Sequence, residues 1–388
     1  MAAVAKRWAP IVVAAAVAVV GSAVPAAAAA EGVTLEASRT KLRFGTTTNL
    51  TGAIDPPAAG EEVTLVNSAG AEVATTATDE AGAFAVKLTP RRNLTLNARW
   101  STFTSSPVTI RVRPAAEVKL GAVPLFGRAR VRGHVRPSLV GRRVTVKLLR
   151  WGHAVGTKRV RLRAGRWFST RIRVPAPGTY RARLVVRSPH HLRARARSVR
   201  RTTAIPDLSV GSSGGAVRLL EARLRHLGYY LPRADRNFDH KTADALRAFN
   251  KVQRTARAGS VNEATWRRLA SPVRPRPHHR RRGLYIEIDQ TRQVIFTVRK
   301  GRVTHILHTS TGANGATHDG AYRVHRKLAG TSGGGLYYPS YFDGLRAIHG
   351  WPDVPVYPAS HGCARVPMWA ATWIHSQAPL GTRVFVYH

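Results

Sequence analysis

The chain has 388 residues, 44 % of them hydrophobic, and a formal net charge of +42. That length exceeds one ordinary core and predicts several domains, while the hydrophobic content excludes a chain disordered throughout. A positive excess of this size selects a polyanionic partner: nucleic acid, an anionic membrane or an anionic cell wall.

Residues 1–30 read as a secretory leader. Lys6 and Arg7 precede an apolar run from Ala9 to Val24, and small residues follow from Pro25 to Ala30. This is the layout of a signal peptide cleaved near Ala30. The run is short and Ala-rich for a stable span, which favours cleavage over retention as a membrane anchor. Either fate predicts a secreted protein facing the wall or a periplasm-like space, with wall polymers rather than nucleic acid as partners and no membrane attachment unless the leader stays. Cys363 is the only cysteine. It can make no intrachain disulfide, so it is either a buried bystander or a reactive thiol.

Residues 31–204 predict an all-β region, with short alternating runs such as Glu62-Val63-Thr64-Leu65-Val66 punctuated by Gly and Pro. An internal repeat runs through it. Leu50-Thr51-Gly52-Ala53-Ile54-Asp55-Pro56 matches Val131-Arg132-Gly133-His134-Val135-Arg136-Pro137, and Gly82-Ala83-Phe84 matches Gly165-Arg166-Trp167. Two copies, 31–114 and 115–204, resemble tandem immunoglobulin-like β-sandwiches. Residues 31–100 hold 7 basic and 8 acidic side chains, whereas residues 121–200 hold 22 Lys and Arg and no Asp or Glu. In Lys158-Arg159-Val160-Arg161-Leu162-Arg163 a strand would bury Val160 and Leu162 and turn the guanidinium groups outward. Such a face either binds an anionic wall polymer, such as teichoic acid, or is the solvated surface of a basic protein.

Residues 207–270 change to helical spacing. Val217, Leu220, Leu224 and Leu227 mark one helix stopped by Gly228. Ala245, Leu246 and Phe249 mark a second, and Trp266 with Leu269 a third. This pattern resembles the three-helix peptidoglycan-binding module. It departs from that family at Glu221 and Asn250, where Gln is usual, and at Arg236 and Asp239, where glycines are. Residues 271–282, with three prolines and a run of His and Arg, predict a solvated linker.

Residues 283–388 return to strands at 284–288, 293–298, 303–310, 320–325 and 383–387, with one helix after Pro367. Here lie Ile348-His349-Gly350 and Ser360-His361-Gly362-Cys363-Ala364-Arg365. A thiol must become a thiolate to attack a carbonyl, and a nearby imidazole can take its proton and return it to a leaving amine. The N–H groups of Gly362 and Cys363 could face a developing oxyanion. Arg365 could hold a substrate carboxylate or favour the thiolate.

The ordered string His-Gly, a spacer, then Ser-His-Gly-Cys-x-Arg resembles the active-site motif of the L,D-transpeptidases, the YkuD-type domain of bacterial walls. The resemblance implies Cys363 as nucleophile and His349 as general acid and base, with Gly362, Ser360, His361 and Arg365 in support. It implies attack on the bond between residue three of a peptidoglycan stem peptide and a terminal D-Ala, a thioester, and a 3→3 cross-link to a neighbouring stem. No metal or organic cofactor is implied. Where the family carries Thr-Pro-x-Gly, this chain has Thr317-His318-Asp319-Gly320. Trimming of tetrapeptide stems by an L,D-carboxypeptidase would use the same nucleophile, and a non-catalytic wall-binding protein is a third reading. Papain-like endopeptidases place Cys before His, sortases leave a much longer gap, and no His-Glu-x-x-His pair suggests a zinc amidase. The fold expected is multidomain: two β-sandwiches, a small three-helix bundle and a mainly-β catalytic domain.

Overall fold

The computed structural model describes residues 32–163 and 167–388. The leader at 1–30 lies outside the described residues, and among these no helix is long and apolar enough to cross a membrane. The described residues form two compact units, one of 32–115 with 188–193, the other of 116–163, 167–187 and 194–388.

The first unit is a two-sheet sandwich. Strand Thr48–Asp55 pairs with Ala83–Leu88 in one sheet, and the other runs Lys41–Arg43, Val108–Arg113, Leu94–Trp100, Glu62–Asn67, Glu72–Ala77. Alternation places Leu50, Val63, Leu65, Leu96 and Ile110 wholly inside. Gly52 lies opposite Phe84, and a Cβ there would sit 2.4 Å from its ring.

The second unit begins with a second sandwich that repeats this plan. Gly133 of strand Arg128–Arg136 lies opposite Phe168, and a Cβ would meet that ring at 2.2 Å. Phe168 is therefore the counterpart of Phe84. The sequence match to Trp167 is off by one residue, because a shift of one in a strand moves a side chain to the other face. Trp167 instead has the Lys119 ammonium 4.9 Å from its ring centre and His134 stacked at 5.7 Å. Leu162 is buried and Val160 half-buried, with Arg159 and Arg161 exposed, as the alternation requires.

Helices α1 (Gly215–His226), α2 (His240–Val252) and α3 (Glu263–Ala270) follow. Val217, Leu220, Leu224, Leu246, Phe249, Trp266 and Leu269 are all buried in one core, and Gly228 ends the first helical segment at φ +94°. The departures from the module's usual residues carry structure. Asp239 caps α2, accepting from Thr242 N. Buried Glu221 accepts from Arg236 N and Thr242 Oγ1, each at 3.0 Å, and burial raises its pKa. Asn250 Nδ2 donates to Ala258 O at 2.8 Å.

The C-terminal domain has two sheets. Its strands are β1 (Leu284–Asp289), β2 (Val294–Arg299), β3 (Arg302–His308), β4 (Gly320–Arg323), β5 (Arg326–Lys327), β6 (Tyr337–Asp343), β7 (Arg346–Trp351), β8 (Ala364–Pro367) and β9 (Arg383–Tyr387). One sheet runs β3-β2-β1-β9-β4 and the other β5-β6-β7-β8. Helix α4 (Met368–Gln377) follows β8 and buries Ala370, Ala371 and Ile374. Neither the helical module nor the linker stands apart from this domain. Tyr285, Phe296, Val298, Ile306 and Phe385 belong to the same buried cluster as the three helices. The backbone N–H groups of His278 and His279 donate to the buried Glu287 carboxylate at 3.0 and 2.6 Å. The end of the segment read as a solvated spacer is thereby held to β1, because a carboxyl group at 0 % exposure needs hydrogen-bond partners.

Candidate active site

The site forms where parallel strands β7 and β8 meet. Their register pairs Ile348 with Ala364 and His349 with Arg365. Cys363 thus stands just before the first paired position, level with Ala347, whose N–H points at Cys363 Sγ at 3.4 Å. Ala347 and His349 share one face of β7 by the two-residue period. The pairing explains why His-Gly and Gly-Cys must lie on neighbouring strands despite fourteen residues between them.

Two glycines make the turn into β8 possible. Gly362 has φ +133°, and a Cβ there would sit 2.9 Å from Ala316 O. A Cβ on Gly312 would meet Gly362 Cα at 2.9 Å. Ser360, 4 % exposed, ties the loop: its Oγ donates to Cys363 O at 2.6 Å and accepts from Gly362 N at 3.0 Å. This corrects one expectation. The Gly362 N–H does not face an oxyanion, because Ser360 Oγ already engages it, leaving the Cys363 N–H as the candidate donor of that pair. His361 is exposed on the loop. Arg365 extends from β8 with its guanidinium carbon 5.1 Å from the Trp351 ring centre, and its carbonyl accepts from Ser310 N and Thr309 Oγ1. Arg365 forms no ion pair with a carboxylate among the described residues.

Electrostatics leave both reactive groups neutral. Burial raises the Cys363 thiol pKa, opposed by the Ala347 N–H, Arg365 and Arg346. Burial lowers His349 to about 4, opposed by its bond to Gly350 O and reinforced by Arg365. His349 Nδ1 lies 2.9 Å from Gly350 O. A carbonyl can only accept, so Nδ1 carries the proton and Nε2 keeps its lone pair.

Sequence reasoning missed three supports. Arg346 Nε donates to Ala316 O at 2.7 Å, Nη1 to Asp343 Oδ2 at 2.9 Å and Nη2 to His318 Nε2 at 3.0 Å. His318, standing where the family has Pro, thus helps clamp the loop beside Gly362. Thr317 Oγ1 accepts from Gly312 N at 2.7 Å and donates to Gly362 O at 2.8 Å. The third is Lys251 of α2. Its Nζ donates to Gln293 O at 2.9 Å, to Thr309 O at 2.9 Å and to His308 Nδ1 at 2.7 Å, beneath the strand that holds Arg365. Burial pushes its pKa down to about 6, against three acceptors that are the full complement for an ammonium. Counting back two residues from His349 along β7 would have drawn attention to the segment that holds Arg346. No local pattern marks Lys251, whose partners lie 42 to 58 residues away. Among the described residues no His, Cys, Asp or Glu cluster could hold a metal ion.

The family model described as the L,D-transpeptidase catalytic domain (YkuD) matches residues 283–386. Through these residues the chain belongs to the L,D-transpeptidase family. A peptidoglycan binding domain model matches residues 213–269. Among solved structures, an L,D-transpeptidase from Xylanimonas cellulosilytica is 33% identical over 47% of this chain and 98% of its own, with a TM-score of 0.45. One from Stackebrandtia nassauensis is 23% identical over 48% and 98%, with a TM-score of 0.30. One from Mycobacterium tuberculosis is 17% identical over 27% and 58%, with a TM-score of 0.26. No curated protein matches the chain. This L,D-transpeptidase family member thus carries its peptidoglycan-binding domain on the same buried core as its catalytic strands.

Proposed function

We propose that the chain is an exported L,D-transpeptidase that forms 3→3 cross-links between peptidoglycan stems through a thioester on Cys363. One observation carries the reading: a buried, neutral His349, its Nδ1–H fixed by Gly350 O and its Nε2 open, on the strand beside the only thiol of the chain. His349 Nε2 takes the Cys363 proton as Sγ attacks the carbonyl carbon of stem residue three. The Ala347 N–H and the charges of Arg346 and Arg365 favour the thiolate as it develops. The Cys363 N–H donates to the oxyanion. Collapse breaks the C–N bond, and the imidazolium returns its proton to the amine of departing D-Ala. A side-chain amine of a second stem then attacks the thioester, losing its proton to His349 and regenerating the thiol. Arg365, which pairs with no carboxylate among the described residues, is placed to hold a carboxylate of the stem. The leader pattern at 1–30 supports export to the wall.

Purified muropeptides incubated with the protein and resolved by mass spectrometry test this reading. A cross-linked dimer with free D-Ala supports it. A trimmed tripeptide alone makes the protein an L,D-carboxypeptidase, and an unchanged substrate makes it a non-catalytic wall binder.

A further inference from the structure

The second sandwich holds a pocket of about 410 Å³ on the outer face of one sheet, far in sequence from the thiol. Strand Thr179–Ser188 alternates strictly here. Tyr180, Ala182 and Leu184 are fully buried, and Arg181 and Arg183 point the other way. On one strand face these two side chains stand about 6.7 Å apart. Arg197 and Arg200 complete the basic wall. The neighbouring strand Arg143–Arg150 brings Arg150, whose guanidinium lies 3.9 Å from the ring centre of Trp151. Gly178 makes room for it: a Cβ there would sit 2.8 Å from Arg150 Nε. Trp151 is 64 % exposed at the pocket's edge, held at φ +49° by the turn into Gly152.

Among the described residues no carboxylate pairs with the charges of this pocket. Residues 121–200 contain no Asp or Glu, and none of the lining arginines joins a salt bridge among the described residues. The Nε atoms of Arg150, Arg181 and Arg183 are buried and have no hydrogen-bond partner among the described residues. A buried donor of a charged group left unmade is costly, and guanidinium groups crowded together repel. An anion with several oxygens would relieve both costs, and the planar fork of Arg suits phosphate oxygens two at a time. Exposed Trp151 offers an apolar face for the carbon units between phosphates.

We propose that this pocket binds a polymer of phosphodiesters linked through polyol or sugar units. The choice of a wall polymer rests on the exported reading above; the binding of phosphate does not. Its role would be retention of the enzyme along an anionic wall.

The test is binding of the full chain to a soluble poly(glycerol phosphate), measured by fluorescence anisotropy at 0.1 M salt. Arg181→Gln with Arg183→Gln should weaken binding at least tenfold. Arg159→Gln with Arg161→Gln, the same loss of charge on another strand, should weaken it less than threefold. Arg181→Lys with Arg183→Lys keeps both charge and fold and should still lose severalfold, because an ammonium cannot grip two oxygens in a fixed plane. Equal losses in the two Gln variants, or no loss with Lys, would mean bulk charge alone and overturn the proposal. So would tighter binding to single-stranded DNA, to polyglutamate or to vesicles with anionic lipid than to the poly(glycerol phosphate). A proposal about phosphate survives a null result in the muropeptide assay, so the two readings fail separately.

Discussion

Two histidines of the catalytic domain, His308 and His349, are buried alike at 2 % exposure. Burial lowers the pKa of both. They differ in what their ring nitrogens touch. His308 Nε2 donates to Val354 O at 2.8 Å, and its Nδ1 accepts from Lys251 at 2.7 Å, so the ring has no lone pair to offer. Among the described residues His349 uses only Nδ1, against the carbonyl of its own neighbour. Burial and a shifted pKa therefore mark both rings, and the open nitrogen separates the proposed base from a brace.

The largest break in this comparison comes from the thiol side. Cys363→Ala should abolish D-Ala release from a tetrapeptide stem and the acyl adduct read by intact mass. Full D-Ala release from that variant would end the thiol mechanism. His349→Ala should stay folded and slow acylation by roughly 10²–10⁴, the usual worth of a positioned base. On the other side, Lys251→Met should strand Gln293 O, Thr309 O and His308 Nδ1. At about 1 kcal/mol or more each, the loss of about 3 kcal/mol should lower Tm by roughly 6–12 °C, with a smaller change in rate than at His349. A Tm unchanged by that substitution would deny His308 its structural role. For the same reason, residues 283–388 expressed without the helices should expose Tyr285, Phe296, Val298, Ile306 and Phe385 and fail to give a cooperative melt.

Acid stability follows from the same rings with a definite sign. Unfolded His349 takes a proton below its ordinary 6.5, whereas folded His349 does not until about 4. At this ring the unfolded state then binds more protons, so the His349 contribution to stability falls as pH drops from about 6.5 to 4, and His308 adds to it in the same direction, opposed by the raised carboxyls of Glu221 and Asp244. Thermal melts across that window check it; a Tm that rises on acidification would contradict it. The smallest effect belongs to exposed His361, where replacement by Ala should shift Tm by no more than about 1–2 °C and the rate by less than tenfold. A dead His361→Ala beside an active His349→Ala would reverse the assignment of the base.

The sequence made some of this legible and hid the rest for physical reasons. Strands β1, β2, β3 and β9 announce themselves by apolar runs, and α1 by four leucine-or-valine positions at helical spacing. The strands that carry the site, β6, β7 and β8, were not among the expected elements. β6 and β7 pair with register shifts, β7 mixes Arg346, His349 and Gly350 with apolar residues, and β8 has only four residues, so none shows a clean apolar alternation although each sends side chains such as Phe342, Ile348 and Val366 into the core. A reactive Cys363 with Gly362 and Arg365 beside it was readable from chemistry, the parts of His349 and Ser360 came from the family motif that the string resembles, and the structure brings these residues together where β7 meets β8. The Gly362 N–H could not be assigned from sequence, since only the folded turn reveals that Ser360 engages it. Lys251 was hidden because its partners are distant in sequence and its helix reads simply as part of a separate module.

The most direct test is a nitrogen-15 NMR titration of the two buried rings in the resting enzyme. The account predicts that His349 at pH 7 is neutral with its proton on Nδ1 and a bare Nε2, and that it takes up a second proton near pH 4. His308 should carry its proton on Nε2 and resist titration over the same range. An imidazolium at position 349 at pH 7, or a proton on its Nε2, would contradict the claim that this ring waits as a neutral base beside an un-ionised Cys363.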